Sequence, residues 1–141
     1  MLDAKKVILT LADNTTNTIT DSSRLSTEED YSAAIYSKED LIINGNGTLN
    51  VNAGYRNGIK STDDCIIVSG TLNITSTEDG IIGKDLCGVV AGDININAGS
   101  DGIKSTYDTD TTKGNVIIEG GNITIKASND GIQAENILVI N

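Results

Sequence analysis

No proline, tryptophan, phenylalanine or histidine occurs in this chain, and its only aromatic residues are four tyrosines, Tyr31, Tyr36, Tyr55 and Tyr107. A conventional core for 141 residues uses several large aromatic side chains. Their scarcity argues against such a core, and the apolar content is instead Ile, Val, Leu and Ala, mixed with much Gly, Asn and Thr. Without histidine, the two cysteines do not make a zinc site. Basic runs are missing too: 10 Lys and Arg stand against 20 Asp and Glu, a formal net charge of −10. That sign is wrong for the phosphates of nucleic acid and for an anionic membrane surface. It suits solubility or the binding of cations. No stretch approaches the ~20 apolar residues of a membrane span, and Met1-Leu2-Asp3-Ala4-Lys5-Lys6 lacks the apolar segment of a signal peptide. These absences leave a cytoplasmic protein or a mature fragment of a secreted one. The apolar ending Ile137-Leu138-Val139-Ile140-Asn141 suggests a boundary inside a longer protein.

What is present is a repeat. Asn57-Gly58-Ile59-Lys60-Ser61 returns as Asp79-Gly80-Ile81-Ile82-Gly83, Asp101-Gly102-Ile103-Lys104-Ser105 and Asp130-Gly131-Ile132-Gln133-Ala134, with a weaker copy at Ala33-Ala34-Ile35-Tyr36-Ser37. The glycines at 58, 80 and 102 are 22 apart, and the step to Gly131 is 29, so seven residues are inserted around 107–114. Each unit carries a second apolar segment, with Ile43, Ile67, Val89, Ile117 and Leu138 in equivalent places. A third segment alternates strictly, as in Leu49-Asn50-Val51, Leu72-Asn73-Ile74, Ile94-Asn95-Ile96 and Ile123-Thr124-Ile125. Period-two alternation is a half-buried strand. One unit is therefore three short strands joined by turns, with no helix.

Such a unit cannot bury its apolar face alone, whereas stacked units bury it as columns of identical side chains. The pattern predicts an all-β right-handed parallel β-helix, a solenoid of about five coils of about 22 residues. Ile35, Ile59, Ile81, Ile103 and Ile132 form one predicted interior ladder. Residues 1–30 break the period and are read as an incomplete first coil plus a polar insertion or cap: residues 7–11 as a third strand, residues 14–30 as a loop. Residues 31–141 hold the coils, and the whole is a single domain. Open coil ends expose unpaired strand edges, which can template end-to-end self-association.

Several columns are candidates for chemistry. Asp79, Asp101 and Asp130 occupy one turn in successive coils, with Asn57 one coil earlier. A second column runs Glu39, Asp63, Asp85, Asp108 and Glu135. Like charges ~5 Å apart repel by roughly 3 kcal/mol at an effective dielectric of ~20, and a bridging Ca²⁺, which takes several carboxylate oxygens, would offset that. The competing reading is that Asp-Gly is good turn chemistry without any ion. Cys65 and Cys87, 22 apart, are expected to be stacked, buried and free, because parallel side-chain vectors suit a disulfide poorly. Lys60 and Lys104 share a register; they are candidate ligand-binding groups, bases for a sugar proton, or solvated counter-charges. No residue is assigned a catalytic role, since a repeat full of acids does not single out one raised-pKa acid. The Asn and Thr of the third segment make a flat polar face able to hydrogen-bond an extended polymer.

The segments Tyr36-Ser37-Lys38-Glu39-Asp40-Leu41, Asn57-Gly58-Ile59-Lys60-Ser61, Asp101-Gly102-Ile103-Lys104-Ser105 and Asn129-Asp130-Gly131-Ile132-Gln133-Ala134 resemble a bacterial secreted carbohydrate-binding β-helix family, a pectate-lyase-like polysaccharide-binding domain. The order of segments and the insertion before Gly114-Asn115-Val116 fit as well. The resemblance implies a secreted or cell-surface protein whose β-helix holds Ca²⁺ and binds cellulose-like or acidic polysaccharide such as polygalacturonate, without lyase activity. Carried over by position, Asp79, Asp101 and Asp130 would be metal ligands, with Asp63, Asp85 and Asp108 as partners. Asn57 in place of Asp, and Ile82-Gly83 in place of Lys-Ser, weaken the site at those coils. Lys60, Lys104, Tyr36, Tyr55 and Tyr107 are the expected sugar contacts. The alternatives are a structural or adhesive, filament-forming β-helix and a polysaccharide lyase.

Overall fold

The computed structural model describes residues 4–22 and 32–141. It opens with β1 (Lys6–Leu11) and β2 (Thr16–Asp21), and then runs through strands in threes. These are β3 (Ala33–Ser37), β4 (Asp40–Gly45) and β5 (Thr48–Ala53); β6 (Asn57–Ser61), β7 (Asp64–Ile67) and β8 (Thr71–Ser76); and β9 (Ile81–Gly83), β10 (Leu86–Val89) and β11 (Asp93–Ala98). They continue as β12 (Ile103–Lys104), β13 (Asn115–Ile118) and β14 (Asn122–Ala127), and the chain closes on β15 (Ile132–Gln133) and β16 (Leu138–Ile140). Each strand pairs in parallel with its counterpart one coil away. The result is three sheets: β3-β6-β9-β12-β15, β1-β4-β7-β10-β13-β16, and β2-β5-β8-β11-β14. This is the parallel β-helix that the repeat predicts, and no helix occurs among the described residues.

Register makes the columns. Ile35, Ile59, Ile81, Ile103 and Ile132 stack in the first sheet. Leu49, Leu72, Ile94 and Ile123 stack in the third, beside Val51, Ile74, Ile96 and Ile125. Cys65 pairs with Cys87, and both are free and buried. A hydrogen bond between them, followed by burial, pushes the Cys65 thiol well up. A fully buried Ile or Leu contributes about 1.5–3 kcal/mol relative to exposure, so these columns supply the stability that single coils lack.

Three expectations change. The strand β1 belongs to the second sheet, not the third: Leu9 pairs with Ile43. The third-strand role falls to β2, where Ile19 pairs with Val51, so 16–21 is a strand and not part of a polar loop. The rest of the expected insertion, residues 23–30, lies outside the described residues. In the second sheet one inward column is Leu9, Ile43, Ile67, Val89, Ile118 and Ile140, so Ile118 takes the place expected of Ile117, while the expected Leu138 pairs with Val116 in the column of Leu41, Cys65 and Cys87. The alternate residues Ile8, Ile42, Ile66, Ile117 and Val139 share the outward column of that sheet. A one-residue slip swaps the faces, and two apolar faces hide it.

Glycine has two separate jobs. Gly45, Gly70, Gly92 and Gly121, between the second and third strands, have φ of +97° to +117° and turn the chain. The Asp-Gly glycines do not. A Cβ on Gly80 or Gly102 would lie 2.5 Å from the carbonyl oxygen of the next coil's glycine. Gly80 and Gly102 are needed where coils touch.

Candidate functional site

The turn from the third to the first strand brings the Asn57, Asp79, Asp101 and Asp130 column together as a chain of backbone caps. Asn57 Oδ1 accepts from the Asp79 amide at 3.0 Å, Asp79 Oδ1 from the Asp101 amide at 3.0 Å, and Asp101 Oδ1 from the Asp130 amide at 2.9 Å. The other oxygens face a lysine: Lys104 Nζ donates to Asp101 Oδ2 at 2.6 Å and lies 3.8 Å from Asp79 Oδ2. Asp101 is 1% exposed. Burial opposes its ionisation, but Lys104, the Asp130 amide and Asn129 together hold its carboxyl below the usual range. Burial likewise opposes the Lys104 charge, and Asp101 and Asp79 still raise its pKa. The like-charge problem of this column is therefore answered by amides and one ammonium. Asp130 is exposed.

Lys60, two coils earlier in the same outward column, is half-buried and donates to Ser32 Oγ at 3.1 Å. Burial and the neighbouring Arg56 lower its pKa. Ile82, between the two lysines, is 4% exposed and so is covered on the outer face.

A second cluster forms where the first strand turns into the second. Asp40 and Asp64 begin β4 and β7, and Asp63 and Asp85 precede β7 and β10. Asp40, Asp63 and Asp64 each place a carboxylate oxygen within 4.8 Å of the others. Asp63 hydrogen-bonds Asp85; that contact, then burial and the charges of Asp85, Asp40 and Asp64, push the Asp63 carboxyl up to about 6. Burial, with Asp40 and Asp85 nearby, raises Asp64 as well. Two lysines face the cluster: Lys113 Nζ donates to Asp85 Oδ2 at 2.5 Å, and Lys6 Nζ lies 3.6 Å from Asp40. The inserted loop between β12 and β13 delivers Lys113 and folds Gly114 onto the Asp85 carbonyl at 2.7 Å. A depression of about 380 Å³ opens there, lined by Asp63, Asp64, Asp85, Lys113 and Asn115 among others. Asn115 Oδ1 is buried in its wall without a hydrogen-bond donor.

Oxygen atoms of a Ca²⁺ shell lie about 2.3–2.6 Å from the ion, so carboxylate oxygens within 4.8 Å of one another fit around one cation. The donor set of Asp40, Asp63 and Asp64 suits a hard ion. The Asp79 and Asp101 oxygens, bound to amides and Lys104, are a poorer fit. Of the expected metal ligands, the structure thus gathers Asp63 and Asp85 here, places Asp79 and Asp101 in the capped column, and leaves Asp108 exposed on the inserted loop. Asp40 and Asp64 were missed. Their signal is the doubled acids Glu39-Asp40 and Asp63-Asp64, 24 residues apart at the same turn. The expected sugar-stacking tyrosines are scattered. Tyr107 lies under Lys84 and Lys113, 4.8 and 5.0 Å from its ring centre; Tyr55 contacts Arg56; Tyr36 shares the Lys60 column.

A family model described as "Carbohydrate-binding domain-containing protein" matches residues 1–141. A protein of that description from Acetivibrio thermocellus is 39% identical over 75 residues, 50% of this chain and 26% of that protein. Among solved structures, that of the polysaccharide lyase-like protein from C. thermocellum, a gadolinium derivative, aligns with a TM-score of 0.83 and 31% identity over 96% of this chain and 65% of that one. The chain spans less than two thirds of the length of either relative.

Proposed function

Because the chain belongs to the carbohydrate-binding domain-containing family, we propose that it binds an extracellular polysaccharide without cleaving it, and that Ca²⁺ held by Asp40, Asp63, Asp64 and Asp85 joins it to acidic polymers such as polygalacturonate. The observation that carries this reading is the set of three carboxylate oxygens within 4.8 Å of one another. Four carboxylates against two lysines leave the cluster negative and repellent to a uronate of the same sign. A divalent cation reverses that, and a uronate carboxylate completes its shell of oxygens. Lys113 and Asn115 border the same depression and supply hydrogen-bond donors to the sugar. Lys60 and Lys104 take structural roles in this reading, through Ser32 and Asp101.

A ligand bound only by the folded state raises its stability. Melting with Ca²⁺ present is therefore expected to exceed melting in chelator by several degrees, with retardation in polygalacturonate gels lost in chelator. Equal melting in both, with no calcium by elemental analysis, would remove the cation from the proposal. Release of unsaturated product from pectate with Ca²⁺ would replace binding with lyase chemistry. A secreted or cell-surface location belongs to the same proposal, and fractionation of the source cells tests it. End-to-end association is a second reading, motivated by the hollow of about 320 Å³ lined by Ile118, Ile123, Ile125, Ile132 and Ile140 at the last coil. A monomer by light scattering at high concentration counts against it.

A further inference from the structure

The chain has two cysteines, and they share one column of the stack: Cys65 on β7 stands in direct register with Cys87 on β10. Both are thiols, and both are 0% exposed. The column is otherwise aliphatic around them, with Leu41 before and Val116 after. A free cysteine packs as a small hydrophobe, but packing gives no reason for both cysteines to fall on neighbouring rungs. The two thiols also hydrogen-bond each other, so they have turned together although the side chains of in-register residues start out parallel. Cα atoms on adjacent parallel strands lie ~4.8 Å apart, inside the ~4.4–6.8 Å range of disulfides. The Cβ atoms, stacked near the strand spacing, have about 1 Å to close before they reach the ~3.8 Å typical of a disulfide. Gly88, next to Cys87, leaves room for that movement: a Cβ in its place would meet nothing nearer than Ile66 at 3.6 Å.

We propose that Cys65 and Cys87 are a redox modification site, oxidised to a disulfide that clasps the coil of β6–β8 to the coil of β9–β11. The oxidant is a small-molecule or protein disulfide of an oxidising compartment. One cysteine thiolate attacks a sulfur of that disulfide and releases one thiol; the second thiolate attacks the resulting mixed disulfide and releases the other. Two electrons and two protons leave the cysteines, and the oxidant ends as two thiols. Burial sets when this happens. Both sulfurs are closed off in the finished stack, and the Cys87 hydrogen bond and burial keep the Cys65 thiol protonated, so the bond forms while the coils are still assembling. The same burial then shields it from reductant. The closed loop runs over one period of the repeat, which limits the freedom of the unfolded chain, and coils that open from either end are halted at this rung. The clasp is independent of any bound sugar or cation.

The test refolds the urea-unfolded full chain in chelator, either with a mixture of reduced and oxidised glutathione or with excess phosphine reductant. Each product is then alkylated with iodoacetamide in urea and weighed intact. The chain refolded with glutathione is expected to take up no alkyl group and to weigh two hydrogens less than the reduced chain, whereas the reduced product takes up two alkyl groups. The oxidised form is expected to melt several degrees above the reduced form, and to keep its bond in dithiothreitol until urea is added. Cys65→Ala and Cys87→Ala are each expected to melt identically under both redox conditions, which assigns the difference to this pair. Two alkyl groups on the chain refolded with glutathione, or a glutathione adduct that never resolves, would show that the rungs do not close and would overturn the proposal. An oxidised form that melts at or below the reduced one overturns it as well, because the bond would then strain the stack instead of clasping it.

Discussion

Asp63 and Asp85 come from successive coils and share a hydrogen bond between carboxyl groups, which is why Asp63 titrates at about 6 rather than at the ordinary 3.8. The sign of its effect follows. A carboxyl whose folded pKa is raised holds its proton more tightly in the folded state, so its contribution is most favourable below about pH 4 and declines as pH rises from about 4 to about 6. Without divalent cations, Asp63→Asn is expected to melt above the parent at pH 7, with the difference shrinking towards pH 4. Equal melting at pH 7 would mean that solvent screens the pair. Asp101 works in the opposite direction: its lowered pKa stabilises above the usual carboxylate range and is lost in acid. The Asp79 and Asp101 column was legible as a recurring position in the sequence, and the second column was legible at Asp63 and Asp85. Which column is capped and which is open was not, because Asp101 and Lys104 meet across the turn of Asp-Gly-Ile-Lys, and Lys113 arrives on a loop outside the repeat. Spacing records the column but not the counter-ion.

The strands were readable to the extent that their two faces differ. The third segment alternates apolar and polar, and its inward columns match the expected ones residue for residue. The second segment reads Val116-Ile117-Ile118, apolar on both faces, so periodicity does not tell which residue points in, and Ile118 rather than Ile117 is the buried one. The Asp-Gly glycine was legible as a constant of the repeat, yet its reason is a contact between coils that lie 22 or more residues apart. This gives a paired prediction. Gly102→Ala drives a Cβ to 2.5 Å from the Gly131 carbonyl and into Ile125, and is expected to cost about 1–3 kcal/mol by overpacking in urea denaturation. The same change at Gly131 meets no atom within 4 Å and should shift the midpoint little. Equal midpoints for the two variants would show that the stack relaxes freely.

At the scale of the molecule, each coil contacts chiefly the coil before and the coil after it, so stability is close to a sum of units and interfaces. Removing residues 80–101, one period of 22, joins Asp79 to Gly102 and restores the Asp-Gly-Ile-Lys segment while setting Ile59 against Ile103 and Leu72 against Ile123. The shortened chain is expected to keep a β-type circular dichroism spectrum and to melt several degrees lower, having lost one interface and Asp85. Aggregation instead would show that the coils are not interchangeable. The parallel pairing has one more consequence, a mechanical one. The ladder hydrogen bonds point along the solenoid axis, and the described chain begins at one end of the stack and finishes at the other. A pull on the two ends therefore loads the outermost strand first and peels the molecule like tape. Each released coil of 22 residues would lengthen the tether by about 75 Å. A domain anchored at one end and gripping a polymer along its wall would give way in such steps instead of breaking all at once.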